Sequence, residues 1–374
     1  MRAEFLGFPR EDGAGTRDYL GVIASVICAT TPVREIAARV PGAVAVTHQY
    51  GCAQVGDDIG QTRRTLAGVA ANPNLAAALI VGLGCETNQA EELAELVPAK
   101  KPVAAIGIQR LGGSAATVEE GVRIAGALRG EAAGRPRRPL PLSALRLGVF
   151  VVDAPRGGAE RACQCSGAVV DLLVDAGATV IAGLTAPLAP AGVRLAERAR
   201  SGEVGQRLRA LGEGLVRRRW AMEGEPYESA QAWNPEEQER AGALASALGT
   251  RPIQGLLAYG ERPAGPGLYL MPLPTNPVEA LAGLLAGGAS IILVASARGV
   301  ATGVVGCPTV VAAPRGAVRS ALDEFVDHWI EGGDLDQEAQ RLLDTVVEVA
   351  SGRLCAAERS ELSGFGISQV GTAF

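Results

Sequence analysis

Four short apolar runs divide the first 130 residues, and a segment of helical period follows each of them. The runs are residues 20–27, 43–47, 77–83 and 103–108. After the first, Val33, Ile36, Ala37 and Val40 recur at the spacing of one helix face. Residues 65–71, 91–97 and 117–128 carry the helical pattern after the other three. Apolar strands separated by helices predict a parallel sheet covered on both faces, because a parallel pair needs a long crossover between its strands.

The pattern resumes after a break. Residues 131–143 include Arg135-Pro136-Arg137-Arg138-Pro139 and Pro141, the best linker in the chain. Beyond it, strands are expected at residues 147–152, 179–184, 253–259, 268–271, 290–295 and 309–312. Helices are expected at 163–176, 193–224, 278–285, 318–329 and 336–350. The expected fold is therefore α/β, with two Rossmann-like, doubly wound parallel-sheet domains. Residues 1–130 would form the first and 144–374 the second, the latter ending in a helical region.

Composition narrows the chemistry. Net charge is −5, and residues 193–240 hold nine Arg and nine Glu, a balance that suits a solvated ion-pair face rather than a nucleic-acid stripe. No apolar run reaches the roughly 18 residues of a membrane-spanning helix, and the N-terminus lacks a signal-peptide pattern. The only lysines are Lys100 and Lys101, so no lysine follows a glycine-rich loop and a Walker P-loop is excluded. Gly82-Leu83-Gly84 lacks the third glycine of a dinucleotide fingerprint. The odd count of seven cysteines in a large chain points to a reducing cytoplasm, where metal or catalytic roles for thiols outrank disulfides.

Open α/β sheets bind ligands beyond the carboxyl ends of their strands. Cys28, His48, Cys52, Cys85, Glu86 and Gln109 fall at those ends, whereas both lysines fall at the opposite edge. Three thiols on one edge could hold a divalent metal, or an iron–sulfur cluster with one open iron. The competing reading is that each cysteine packs as a small hydrophobe. His48 is expected to be a ligand or acid/base group, against the alternative of a turn-capping histidine. Glu86 could be catalytic or a favourable charge at a helix N-terminus. His328 suits a surface or packed position on its helix. Cys163 and Cys165 do not share a helix face, and Cys307 and Cys355 are isolated, so packing is expected for all four.

These motifs resemble the altronate and galactarate dehydratases and the sulfolactate sulfo-lyase large subunit. Gly7-Phe8-Pro9-Arg10-Glu11-Asp12-Gly13, then Arg17 and Ile27-Cys28-Ala29, are similar to the opening of the family's main region. His48-Gln49-Tyr50-Gly51-Cys52, Asn72-Pro73-Asn74, Gly82-Leu83-Gly84-Cys85-Glu86 and Gln109 with Gly112-Gly113 match its later motifs. Gly267–Met271, Ala297-Arg298-Gly299, Ala357-Glu358 and Gly371-Thr372-Ala373-Phe374 extend the likeness to the end.

The resemblance implies a metal-dependent hydro-lyase acting on a small hydroxy acid or sugar acid, with iron as the usual metal. It does not settle the ligands; Cys28, Cys52 and Cys85 are assigned from strand geometry. His48 or Glu86 would transfer the proton, with Gln109 beside them, and Arg298 would clamp the substrate carboxylate. Arg10, Arg17, Asn72, Gly112 and Gly113 are carried over as substrate-binding positions. The partners expected are the small acid, a small SAF-like subunit and further copies of the chain.

The second half departs from the family. Val151–Pro155 and Cys163-Gln164 replace its cysteine, serine and asparagine motifs. Leu184 and Leu188 stand for its paired glutamates, and its lysine segment has no counterpart around Trp233–Gly249. Pro272-Leu273-Pro274 replaces its Asp-x-Pro. Three alternatives to the hydro-lyase follow: a sulfo-lyase-type large subunit, an altered or inactive paralogue that binds an acid or serves as a subunit, and an iron–sulfur sensor.

Overall fold

A computed structural model describes residues 4–11, 13–52, 54–132, 136–152, 159–223, 234–316 and 320–370, with backbone alone for 215–223. The chain opens with an antiparallel pair, β1 (Glu4–Arg10) and β2 (Gly13–Gly15). Four parallel strands follow: β3 (Tyr19–Ala24), β4 (Ala43–Val46), β5 (Leu75–Gly82) and β6 (Val103–Gly107). They lie in the order β4-β3-β5-β6. The crossovers are α1 (Thr30–Arg39), α2 (Asp57–Ala70) and α3 (Ala90–Glu95), and α4 (Ser114–Ala132) follows β6.

Every residue of β5 is buried, as expected for a central strand covered on both faces. Val33, Ile36, Val118 and Ala125 of α1 and α4 pack on one face. Leu66 and Val69 of α2 and Leu93 of α3 pack on the other. α2 begins eight residues before the expected helix, because Asp57–Arg64 is too polar for an apolar stripe to announce it.

The expected linker holds a strand. β7 (Arg138–Pro141) pairs antiparallel with β1, Glu4 opposite Pro141, and completes a sheet ordered β2-β1-β7. Its prolines are tolerated because β7 is an edge strand, where a missing N–H breaks no ladder.

The second sheet is larger and wholly parallel. It is built from β8 (Arg146–Val152), β9 (Thr179–Leu184), β10 (Ile253–Leu256), β11 (Gly267–Pro272), β12 (Ile291–Ser296), β13 (Thr309–Pro314) and β14 (His328–Ile330). Their order is β10-β11-β9-β8-β12-β13-β14. The helices are α5 (Glu160–Asp175), α6 (Gly192–Glu197), α7 (Gly202–Glu223), α8 (Pro235–Ala245), α9 (Pro277–Ala286), α10 (Leu335–Ala350) and α11 (Ala356–Arg359). Leu173 of α5 and Val346 of α10 belong to the core on one face. Leu281 and Leu284 of α9 belong to the other core, which also contains Leu66 of α2 and Ile80 of β5. One apolar layer therefore serves both sheets.

The helix expected over residues 318–329 is not present among the described residues there. A short 3-10 turn (Asp323–Phe325) leads instead into β14. The side chain of Asp327 accepts from Val311 N and Ala356 N, which draws this segment against β13. Pairing with β13 thus overrides a spacing that suits a helix, and His328 sits on a strand with Nδ1 2.9 Å from Thr345 Oγ1. Among the described residues, no helix is long and apolar enough to cross a membrane.

Candidate functional site

The turns after β3, β4, β5 and β6 are laced together by main-chain hydrogen bonds. Ile27 N donates to Tyr50 O at 2.9 Å, Thr87 N to Gly51 O at 3.2 Å, and Gln109 N to Leu83 O at 3.0 Å. This lacing brings Cys28, Cys52 and Cys85 to one edge of the four-stranded sheet, all three exposed as free thiols. The thiol of Cys52 is pushed above the ordinary cysteine range. Desolvation contributes most, followed by the nearby Cys28 and Cys85 sulfurs, a hydrogen bond with Cys28, and the Glu86 carboxylate. The three sulfurs are thus electrical neighbours.

Glycine is required at two points in these turns. Gly51 has φ +112°, and a Cβ there would lie 2.7 Å from Val26 Cα. Gly84 has φ +123°, and its Cβ would lie 2.7 Å from Gln109 Oε1. At Gly51 the backbone of the neighbouring turn leaves no room for a side chain, and at Gly84 the positive φ itself disfavours one.

His48 and Glu86 build this edge. His48 is buried; its Nε2 donates to Ala24 O at 3.0 Å and its Nδ1 accepts from Tyr50 N at 3.2 Å. Both ring nitrogens are spent on backbone, and burial lowers its pKa from 6.5 to about 4. The geometry matches the turn-capping alternative and leaves no ring nitrogen for a metal or a substrate proton. The Glu86 carboxylate is also buried. It accepts from Ser25 Oγ at 2.8 Å, from Leu83 N at 3.2 Å and from Gly84 N at 2.6 Å. It closes the turn that carries Cys85, rather than standing open to a ligand.

Gln109, Gly112 and Gly113 lie at the same edge, in the turn between β6 and α4. Gln109 is exposed, and Gly113 N donates to Ile108 O at 3.0 Å. Arg298 follows β12 at the corresponding edge of the second sheet. It is exposed, and among the described residues its guanidinium has no hydrogen-bond or ion-pair partner.

The other expected substrate contacts lie elsewhere. Arg10 donates to Pro73 O at 2.9 Å and pairs with Asp18 at 2.6 Å. Arg17 is buried, holds Glu358 through two 2.6 Å bonds, and donates to the carbonyls of Thr16, Val349 and Arg353. Asn72 Nδ2 donates to Leu285 O and Ala289 O, and its Oδ1 accepts from Asn74 N. These three residues have filled hydrogen-bonding duties in the scaffold, near the amino ends of the strands or the seam with the second sheet.

Asn74, a neighbour of the expected site residues, does the same work. Its Oδ1 accepts from Thr16 N at 2.8 Å, while its Nδ2 donates to Ser290 O and Gly306 O. A contact invisible in the sequence reaches the thiol edge from the far end of the chain. Gln54, two residues after Cys52, donates to Gln369 Oε1 at 2.9 Å, and Val370 N donates to Asp58 Oδ1. The Gly371–Phe374 motif, Asp153–Pro155 and Trp233 lie outside the described residues. Cys163, Cys165, Cys307 and Cys355 are all buried, in line with packing roles.

A single tetrahedral ion with metal–sulfur bonds of about 2.3 Å needs its ligands in near contact. Among the described residues, no three His, Cys, Asp or Glu side chains are gathered that tightly. The three accessible thiols come from separate turns at one edge of the four-stranded sheet.

Comparison with known proteins agrees with the motifs. Residues 7–133 match the model of the D-galactarate dehydratase/altronate hydrolase second domain, and residues 158–373 match the C-terminal domain of D-galactarate/altronate dehydratase. An altronate dehydratase of Bacillus subtilis is 28% identical across 98% of this chain and 78% of its own length. An altronate dehydratase of Escherichia coli is 26% identical across 96% of this chain and 76% of its own. The (2R)-sulfolactate sulfo-lyase subunit beta of Chromohalobacter salexigens is 24% identical across 95% of this chain and 94% of its own. With two of the family's domain models matched over most of the chain, the chain belongs to the D-galactarate/altronate dehydratase family.

Proposed function

We propose that this chain is a hydro-lyase that removes water from a sugar acid, using an iron–sulfur cluster held by Cys28, Cys52 and Cys85. The observation that carries the reading is the lacing of three successive turns, which leaves three neighbouring thiols exposed at one sheet edge. The relatives named for altronate dehydration supply the substrate class. Such a cluster, when bound, supplies an open iron that acts as a Lewis acid toward a substrate hydroxyl.

The protein's own groups then divide the work. Arg298, exposed and unpartnered among the described residues, meets the substrate carboxylate as a charge-assisted donor. Gln109 offers an amide to a hydroxyl at the same edge. His48 and Glu86 act as positioning residues, because their polar atoms hold the turns that present Cys52 and Cys85. Exposed free thiols suit a reducing compartment.

The test is the chain purified without oxygen. Stoichiometric iron, a visible charge-transfer band lost in Cys85→Ser, and conversion of altronate or galactarate to a keto acid are expected. Iron-free protein, or iron that survives Cys85→Ser, overturns the ligand assignment. Full turnover of Arg298→Ala overturns the carboxylate clamp.

A second reading has its own observation. Leu184 and Leu188, standing where the family carries glutamates, are buried in the core of the second sheet. That favours an altered paralogue, or a large subunit that needs a small SAF-like partner, as the name of the related sulfo-lyase subunit beta suggests for that protein. Sugar-acid binding without turnover, relieved by adding a small partner subunit, would select this reading.

A further inference from the structure

A cavity lies far from the thiols, at the amino-terminal edge of β5 and β6. Its volume is about 390 Å³, within the roughly 300–1,000 Å³ of small-molecule pockets. Pro73, Leu75, Pro98 and Pro102 supply its walls, and Ala132, near the end of α4, closes one side. Prolines lack an N–H, so much of this wall offers a ligand no backbone donor.

The charge at the cavity is concentrated. Both lysines of the 374-residue chain, Lys100 and Lys101, line it, together with Arg10 and Glu11. Lys101 Nζ donates to Asn72 O at 2.6 Å, which fixes its ammonium at the wall. Arg10 is fixed by Pro73 O and Asp18. Lys100 differs, because among the described residues its ion pair is with Glu11 alone and its side chain is 78% exposed. An exposed pair of this kind contributes little to stability, so an incoming anion can replace Glu11 at small cost.

We propose that this cavity binds a small organic carboxylate with a compact apolar body, aromatic or branched aliphatic, whose carboxylate pairs with Lys100. The apolar body packs against the prolines and Leu75. A polyhydroxy acid is the wrong ligand, since its hydroxyls would meet the proline walls without partners. The cavity and the thiol edge lie at opposite ends of the same strands, so the ligand is an effector or second-site acid rather than the reacting substrate. This site stands independently of the hydro-lyase reading.

Phenylacetate is the probe, titrated into the full chain by calorimetry, with inorganic phosphate and galactarate run in parallel. Saturable one-to-one binding is expected, weakened at least tenfold in Lys100→Glu and unchanged in Cys85→Ser. Lys100→Glu changes a surface residue, so its unliganded melting temperature should equal that of the parent. Galactarate binding should show no dependence on Lys100. Three results overturn the proposal: no saturable phenylacetate binding, equal affinity in Lys100→Glu, or phosphate binding as tightly with the same Lys100 dependence. The last would show that charge alone, without an apolar body, is recognised.

Discussion

The two ends of the four-stranded sheet use their polar residues for opposite purposes. At the carboxyl end, Ser25 and Glu86 satisfy each other, His48 and Glu86 hold backbone groups, and three thiols are left facing solvent. Toward the amino end, Asn72 and Asn74 are spent on the seam, Arg10 is spent on Pro73 and Asp18, and no cysteine is exposed. One end is scaffold that frees reactive groups, and the other is scaffold that joins two sheets. A charged or amide side chain is evidence of a site only when its hydrogen-bonding capacity is left over. Among the expected site residues, Arg298 keeps its guanidinium unpartnered among the described residues, and the three cysteines stand exposed.

The sharpest way to break this contrast is at the seam. Arg17→Ala leaves the Glu358 carboxylate without its two-bond partner in a largely buried position. About 3–4 kcal/mol of stability should be lost, as for other broken buried pairs. Urea unfolding of the variant reads it, and a loss under about 1 kcal/mol would move Arg17 back among the candidate substrate contacts.

The next effect is a pH dependence from His48. Its folded pKa of about 4 lies below the ordinary 6.5, so the unfolded chain takes up the proton first. The stability held by neutral His48 is complete above pH 6.5 and is lost progressively as pH falls toward 4. A drop of up to about 3 kcal/mol across that window follows from the size of the shift. Unfolding curves at pH 7 and pH 5, for the parent and for His48→Gln, isolate it. An unchanged slope in the variant would assign the dependence to other groups.

Gly51→Ala should cost less, about 2 kcal/mol, for a side chain at positive φ pressed on Val26. It should also disturb iron loading, because the same turn carries Cys52. Cys28→Ser is the smallest in stability, within about 0.5 kcal/mol for an exposed position, yet it should abolish the visible band. If melting temperature and iron content fell together in Cys28→Ser, the division between scaffold and site would collapse.

Much of this architecture is legible in the sequence. The apolar runs mark the strands because a parallel sheet buries both faces and leaves no polar alternation to blur them. β7 is obscured by its prolines, and β14 by a spacing that mimics a helix until Asp327 and β13 decide otherwise. The cysteines are legible too, since strand ends fix where they fall. The roles of His48, Glu86, Arg17 and Asn72 are not, because residue type says nothing about which lone pairs the backbone has already taken. Asn72 belongs to a true motif, but that motif serves the joint between sheets.

The bond from Gln54 to Gln369 spans 315 positions of sequence. During synthesis, the turn carrying Cys52 emerges early and must wait for nearly the whole chain before this brace exists. Contacts of such separation form late, after the loop they close has been ordered. The thiol edge is therefore among the last parts of the molecule to be completed, and any cofactor delivered to it would meet a chain already folded elsewhere.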